Sequence, residues 1–420
     1  MNRFSQATKK SSSRTSKSEA SSNRDKSTKS PRKKAPATKL PRSLLSGWEN
    51  CLITNGRFPK GTRKTQENSL YLIRKLIQGE IESIIQLGES MDKGEIHRLD
   101  AFLKTKKGLV SYLLSAHLDQ LLNSFHLLER VGRKLKWKLL ISQFKSFKIT
   151  DWASGTGACA GTWVDILLKN KTAQENIEIN LLERNPMLLE GGLEILNTLA
   201  PNSKAKGFKS LFRQIDKLQT PEDELNIHSL GFTWPYFKYN KKDLSAFLQQ
   251  MKDDTQDNKA TLISLLDIPS AEAARELMNL RDQLVSIGYR AIYPCPASTS
   301  SCPMLLKEKD WCYSEFDYEP TFLQKTLHKE LRVQKPMAKS AAYLFASPKL
   351  LEVCSPSPGT ARVVGRPKKK TDPKIKKSSH QDFEYLMCTE SGLQKYPSHL
   401  THSRIARRGW DMHLPDTEQK

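Results

Sequence analysis

Apolar positions change their period along this chain. Between 43 and 147 they recur at helical spacing. Leu72, Ile73, Leu76, Ile77, Ile81 and Ile84 form one stripe, and Leu109, Leu113, Leu114, Leu118, Leu121, Leu122 and Phe125 form another. Residues three and four apart share a helix face, so each stripe predicts a helix buried along one side. From 148 to 294 the pattern becomes short apolar runs at 147–152, 177–183, 225–232, 261–267 and 289–293. Helical stretches such as 162–169, 186–199 and 270–287 lie between them. Strand, loop and helix in alternation predict a parallel sheet covered by helices on both faces. Beyond 295 come a helical piece and one more strand, Ala341–Ala346.

Two segments break the patterning. Residues 1–42 hold 13 Lys/Arg against two acids, Glu19 and Asp25, with almost no large apolar side chain. Such a segment buries too little surface to offset its ordering entropy, and a disordered basic arm is expected. A solubilising tail and an Arg- and Ser-rich transit peptide are the alternatives, the second weakened by the lack of leucines. Residues 356–380 are a second basic stretch, eight Lys/Arg against Asp372. Four parts follow: an arm (1–42), a helical region (43–147), an α/β domain (148–294) and a cysteine-bearing, basic C-terminal unit (295–420).

The whole chain of 420 residues carries 68 Lys/Arg against 45 Asp/Glu, a net charge of +23. That excess calls for a polyanionic partner: RNA, DNA or an anionic membrane surface. No apolar run approaches the ~20 residues of a membrane span. With no secretory signal core either, the reading is a soluble intracellular protein without a membrane partner. Seven cysteines, an odd number, argue against a disulfide framework.

"ITDWASGTGACAG", residues 149–161, joins the first strand to a helix expected near Gly161. Asp151 ends the strand, and Ala153, Ser154, Gly155, Thr156 and Gly157 follow. Glycines let the backbone turn tightly and approach a ligand, while the helix N-terminus offers free N–H groups. A ribose site needs an acid at the end of the next strand, and "IEINLLERNP" supplies Glu183. An acid before the glycines and a second acid one strand later read as an S-adenosylmethionine site rather than an NAD site. A structural turn with no ligand is the alternative, and Ala153 stands where a glycine is usual. The candidate cofactor-binding residues are Asp151, Ala153, Ser154, Gly155, Gly157 and Glu183. The fold class is therefore α/β: a Rossmann-like class I methyltransferase sheet with an N-terminal helical region and a C-terminal cysteine and β unit. After the fourth strand, base amino-methyltransferases carry an Asn/Asp-Pro-Pro-Tyr loop. Here the loop reads Thr233, Trp234, Pro235, Tyr236. Only Pro235 and Tyr236 fit, as candidates for stacking on a base, and the group that polarises the amine is missing.

Cys295, Cys302 and Cys312 fall within 18 residues, "CPASTSSCPMLLKEKDWC". Thiolates are soft ligands suited to zinc or iron–sulfur clusters. These gaps are longer than the usual zinc pairs, and cluster ligation takes four cysteines. The fourth is Cys354 or Cys388.

Together these pieces resemble one family, the methyltransferase-like assembly factor of the mitochondrial small ribosomal subunit (ribosomal small subunit protein twenty-two) and its bacterial relatives. "DWASGTG" is similar to the family's Asp-x-Gly-Ser-Gly-Thr-Gly loop. "LLDIPSAEAARELMNLRDQLVSIGYRAIYPCP" is similar to its acid-Pro-Gly-Thr strand, Arg-bearing helix and Pro-Cys-Pro strand. "SCPM", "DWCYSEF", "ARVVGRPKKK", "YLMCTESGL" and "RIARRGWDM" follow in family order, so the resemblance spans roughly 145–412. It implies S-adenosylmethionine binding, a 4Fe–4S cluster on Cys295, Cys302, Cys312 and Cys388, and action on the immature small subunit. Departures from the family are Ala297 and Tyr313, where histidines are usual, and "DIPS" for acid-Pro-Gly-Thr.

The expected function is an S-adenosylmethionine-dependent rRNA methyltransferase-like protein that assists ribosome assembly and translation. Its partners would be rRNA and proteins of the small subunit. Arg366, Lys368, Lys369, Lys370, Arg404, Arg407 and Arg408 are the candidate phosphate contacts. A catalytically inactive rRNA-binding scaffold and a zinc-containing DNA-binding protein are the alternatives, the second from the "GRPKKK" hook. The expected state is a monomer in a bacterial cytoplasm, with the mitochondrial matrix as the alternative compartment.

Overall fold

Ser146–Trp152 (β1) lies at the middle of a sheet, paired in parallel with Ile177–Leu182 (β2) on one side and Glu224–Gly231 (β4) on the other. It is central because Phe147, Ile149, Trp152 and even Thr150 and Asp151 are buried, so both of its faces need cover. The structure, a computed structural model, describes residues 37–58, 68–93, 95–210, 223–233, 241–296, 300–331, 337–353, 360–365, 368–369, 383–397, 408 and 411–413.

Lys204–Phe208 (β3) adds to β2, and Thr261–Asp267 (β5) adds to β4, both in parallel. Ala338–Ala346 (β8) then inserts antiparallel between β5 and Arg290–Tyr293 (β6), with Ser314–Phe316 (β7) also paired to β8. The order β3-β2-β1-β4-β5-β8-β6, with one late strand inserted antiparallel, is the class I methyltransferase arrangement. β3 was not legible in the sequence: it is a polar edge strand with no side chain fully buried. β8 begins at Ala338, earlier than the Ala341 read from its apolar run.

Helices cover both faces. Ala158–Lys169 (α7) and Pro186–Leu199 (α8) follow β1 and β2, and Lys241–Gln256 (α9) and Ala271–Ser286 (α10) follow β4 and β5. Asn185 caps α8 by accepting from the Met187 and Leu188 amides, and Ser270 caps α10 by accepting from Ala273.

The N-terminal region is helical throughout its described part: Arg42–Asn55 (α1), Ser69–Lys93 (α2), Ile96–Leu103 (α3), Lys106–Tyr112 (α4), a π-helical turn Leu113–His117, Leu118–Leu135 (α5) and Trp137–Ile141 (α6). Its apolar stripes share one core with Ala158, Leu188 and Ile195 of α7 and α8, so this region packs on the sheet domain over the start of α7. Trp48 is fully buried and donates to Leu113 O at 2.7 Å, pinning α1 to the π turn. Ser43 reaches Asp165 of α7 at 2.6 Å. Of the stretch 1–42 read as a basic arm, residues 37–42 are described. Residues 37–42 are ordered because Leu40 is buried and Thr38 exchanges backbone hydrogen bonds with Asp317 and Glu319. Residues 1–36 lie outside the described part.

A second, antiparallel sheet is built from Thr360–Val363 (β9), Lys368–Lys369 (β10), Phe383–Thr389 (β11), Gly392–Pro397 (β12) and Asp411–His413 (β13), ordered β10-β11-β9-β13 with β12 on β11. Val364, Cys388, Leu386 and Leu393 join the core on the α10 face of the first sheet.

Candidate functional site

The loop after β1 is made by three left-handed residues, Ala153 (φ 50°), Gly155 (φ 54°) and Gly157 (φ 69°). This explains the usual glycine at position 153: an alanine there carries a Cβ in a region L-residues avoid. The helix begins at Ala158, directly after Gly157 and before the Gly161 read from the sequence. The whole stretch Asp151–Ala160 is buried.

Both predicted acids take backbone amides of this loop or of the helix that follows it. Asp151 Oδ2 accepts from the Ala160 amide at 3.0 Å, and burial pushes its carboxyl up to about 7. Glu183 Oε2 accepts from the Gly155 amide at 3.0 Å and Oε1 from the Asn185 amide at 2.8 Å, and burial again raises its pKa. Each carboxylate oxygen has two lone pairs, so Glu183 keeps acceptor capacity for a hydroxyl. The Ser154 hydroxyl is buried with no hydrogen-bond partner in the protein.

Sequence reasoning missed what the helical region contributes here. His117 Nδ1 is 2.7 Å from Thr156 Oγ1, and burial lowers its pKa to about 3, so the imidazole is neutral. A Cβ on Gly155 would stand 2.5 Å from the Tyr112 hydroxyl, to which Gln120 Nε2 donates at 2.9 Å. Both side chains belong to helical stripes that read as core, and only the packing brings them to the loop.

Thr233, at the carboxyl end of β4, is buried and lines a pocket with Asp267, Glu276, Leu277 and Gln283. Trp234 and the candidate stacking residues Pro235 and Tyr236 lie outside the described residues.

A second pocket is lined by Cys295, Cys302, Cys312 and Cys388 together. Cys295 follows β6 and Cys302 sits at the start of a 3-10 turn, Pro303–Leu306. Cys312 precedes β7, and Cys388 belongs to β11 of the other sheet. Asp282 accepts from the Cys302 amide at 3.0 Å and holds Arg281 at 2.5 Å, fixing that loop to α10. Burial pushes the Cys295 thiol up to about 11 and Cys302 to about 12, and raises Cys388 further. The thiols raise one another as well, because neighbouring thiolates repel. They ring the cavity: among the described residues no three His, Cys, Asp or Glu side chains are grouped to grip one metal ion. Cys354, the other candidate, lies outside the described residues.

Two arginines and a tyrosine complete this wall. Arg281, Arg362 and Tyr343 are buried around the four cysteines. Burial acts to lower the Arg362 pKa, yet Cys312, Tyr293, Asp411 and Cys295 around it hold it above its ordinary value. None of the three was legible as a site residue, since each sits in an otherwise ordinary helix or strand.

Of the candidate phosphate contacts, Lys368 and Lys369 form β10 at the edge of the second sheet. Arg366, Lys370, Arg404 and Arg407 lie outside the described residues. Arg408 is turned inward: its guanidinium lies 4.1 Å from the Tyr313 ring centroid, and it donates to Trp311 O. That engagement departs from its expected place on an open phosphate-binding surface. Among the described residues no helix is long and apolar enough to cross a membrane.

No family model and no curated protein matches the chain. Its fold is similar to several solved structures at low identity. An rRNA methylase from Streptococcus thermophilus is 10% identical, with 50% of this chain and 93% of that chain covered and a TM-score of 0.26. A precorrin-6y C5,15-methyltransferase from Geobacter metallireducens is 13% identical, with 50% and 86% covered and a TM-score of 0.29. TrmK from M. capricolum, in complex with S-adenosyl-homocysteine, is 12% identical, with 51% and 68% covered and a TM-score of 0.27. The strand order of the sheet, rather than these alignments, carries the fold assignment.

Proposed function

We propose that the chain is an S-adenosylmethionine-dependent, methyltransferase-like protein that binds small-subunit rRNA, assists assembly of that subunit and carries a 4Fe–4S cluster. The single observation that carries the reading is the convergence of Cys295, Cys302, Cys312 and Cys388 on one cavity beside a class I sheet. A cluster takes one thiolate on each of its irons, so its ligands stand around a volume. A lone zinc holds every sulfur at ~2.3 Å from one point and is the alternative occupant. Bound there, a cluster ties the C-terminal sheet, through Cys388, to the loops after β6, which is a structural task.

The residues around the glycine loop fit S-adenosylmethionine. Gly155 and Gly157 turn the backbone through left-handed conformations, the buried Ser154 hydroxyl lacks a protein partner, and α7 begins directly after the loop. Asp151, Ala153, Ser154, Gly155, Gly157 and Glu183 would hold the cofactor, which supplies a sulfonium-activated methyl group. The chain's net charge of +23 supports an RNA partner held mainly through phosphates. The setting proposed is a bacterial cytoplasm, with a mitochondrial matrix as the alternative.

The test is anaerobic purification with metal analysis, joined to sedimentation of cell extracts and an rRNA modification map of a deletion strain. About four irons and four sulfides per chain, and co-sedimentation with small-subunit particles, are expected. Stoichiometric zinc without iron or sulfide overturns the cluster, and recovery on DNA overturns the RNA reading. A second reading, an rRNA scaffold with a vestigial cofactor fold, is favoured by the closed loop, with Tyr112 against Gly155. If Asp151→Ala supports subunit assembly as the parent does, that second reading stands.

A further inference from the structure

Arg362 is a buried cation of the cysteine pocket, and Asp411, opposite it in register on β13, is an acid that acts on it. Arg362 is 2% exposed, and its Nε and Nη1 have no hydrogen-bond partner in the protein. Its Nη2 donates to Ser314 Oγ at 2.9 Å, a neutral acceptor. Arg281 pairs with Asp282 at 2.5 Å, and Asp411 also meets Arg130 at 3.4 Å. Arg408 lies over the Tyr313 ring. Tyr343 repeats the pattern: 1% exposed, with a hydroxyl that has no partner. Buried donors without acceptors are destabilising. Arg362 and Tyr343 line the same pocket as the four cysteines.

Register explains the aim of Arg362. It sits opposite Cys388 on paired antiparallel strands, and side chains of directly opposed residues lie on the same face. β9 therefore delivers a cation to the same side of the second sheet from which β11 delivers a thiol.

We propose that Arg362 is the counter-charge of an anionic, thiolate-ligated centre in this cavity, and that Arg362 and Tyr343 donate hydrogen bonds to its sulfurs. The proposal rests on the four-cysteine reading above. Donors to cluster sulfurs and local positive charge favour the reduced, more negative state and so raise the reduction potential. Four thiolates around zinc also form an anion, so the same two residues serve either occupant.

The experiment compares the anaerobically purified full chain with R362M, R362K and Y343F. It reads iron and sulfide per chain and the midpoint potential from an EPR-monitored redox titration. R362M is expected to lower the potential enough to shift the oxidised-to-reduced ratio at least tenfold at fixed ambient potential, about 59 mV for one electron. R362K recovers part of the shift because it restores the charge, and Y343F moves the potential less in the same direction. An R362M protein with the parent's potential and iron content overturns the proposal. If R362M fails to fold, Y343F, which keeps the ring, and R362K decide, and unchanged potentials in both overturn it. A zinc-loaded parent moves the readout to metal release to a chelator, expected to be at least tenfold faster in R362M, and equal rates overturn the proposal. A parent without iron, sulfide or zinc overturns the four-cysteine reading and this proposal together, whereas a loaded parent with indifferent variants overturns this proposal alone.

Discussion

Glu183 and Gly155, 28 residues apart, are joined by a hydrogen bond from the Gly155 amide to Glu183 Oε2 at 3.0 Å. The same carboxylate takes the Asn185 amide on its other oxygen, so one side chain fixes the end of β2, the glycine loop and the cap of α8. Glu183→Ala leaves two buried amides unpaired and is expected to destabilise the protein by about 2 to 4 kcal/mol. Glu183→Gln, which keeps one acceptor oxygen, is expected to cost less. Urea unfolding at neutral pH measures both.

Asp151 gives the protein a pH dependence. Its carboxyl is raised from 3.8 to about 7 by burial, so the folded chain holds a proton that the unfolded chain has lost. Its contribution is fully present below the unfolded value and is lost as pH rises through about 7. Asp151→Asn keeps a neutral side chain at every pH. It is expected to flatten stability between about pH 4 and 7 and to gain up to about 4 kcal/mol on the parent above that window. Denaturation midpoints at pH 5 and pH 8 decide, and parallel profiles would sink the assignment.

Ala153→Gly relieves a left-handed alanine at φ 50°. Relief of about 1 to 2 kcal/mol is offset in part by the flexibility that glycine adds to the unfolded chain. The expected net gain is about 0.5 to 1 kcal/mol in an unfolding titration, and a loss of stability would show that the loop is shaped by other contacts.

Cysteine replacements test the proposed cluster and its ligands. Cys302→Ser and Cys388→Ser are expected to abolish the visible absorbance of anaerobically purified protein, because both thiols line the shared cavity. Cys354→Ser is expected to keep it. Absorbance lost with Cys354→Ser and kept with Cys388→Ser reverses the assignment.

The basic candidates call for separate tests. Lys368→Ala and Lys369→Ala, on the edge strand β10, are expected to weaken RNA binding and to make its salt dependence shallower by about 0.7 per charge removed. Arg408→Ala removes a cation packed on Tyr313 and is expected to lower the melting temperature first. Filter binding across a salt series, with thermal unfolding alongside, reads both. An unchanged melting temperature for Arg408→Ala would return that arginine to the RNA surface.

The alternation of apolar runs with helical stretches determined the parallel core β1-β2-β4-β5, because strands buried on both faces leave continuous apolar signals. Local chemistry also marked the loop at Asp151–Gly157, where left-handed backbone needs glycine and a helix N-terminus follows. Cys295, Cys302 and Cys312 were legible as a group because they are near one another in sequence. What tertiary structure alone decided are the relationships between distant residues. The edge strand β3 is held by pairing to β2, since its own side chains bury too little to signal a strand. Tyr112 and His117 reach the glycine loop only because α4 and the π turn dock over α7. Arg362 meets the cysteines only because β9 pairs with β11 in the register that sets it opposite Cys388. A periodic pattern records which face of an element is buried, and burial against a particular partner is settled when the elements pack.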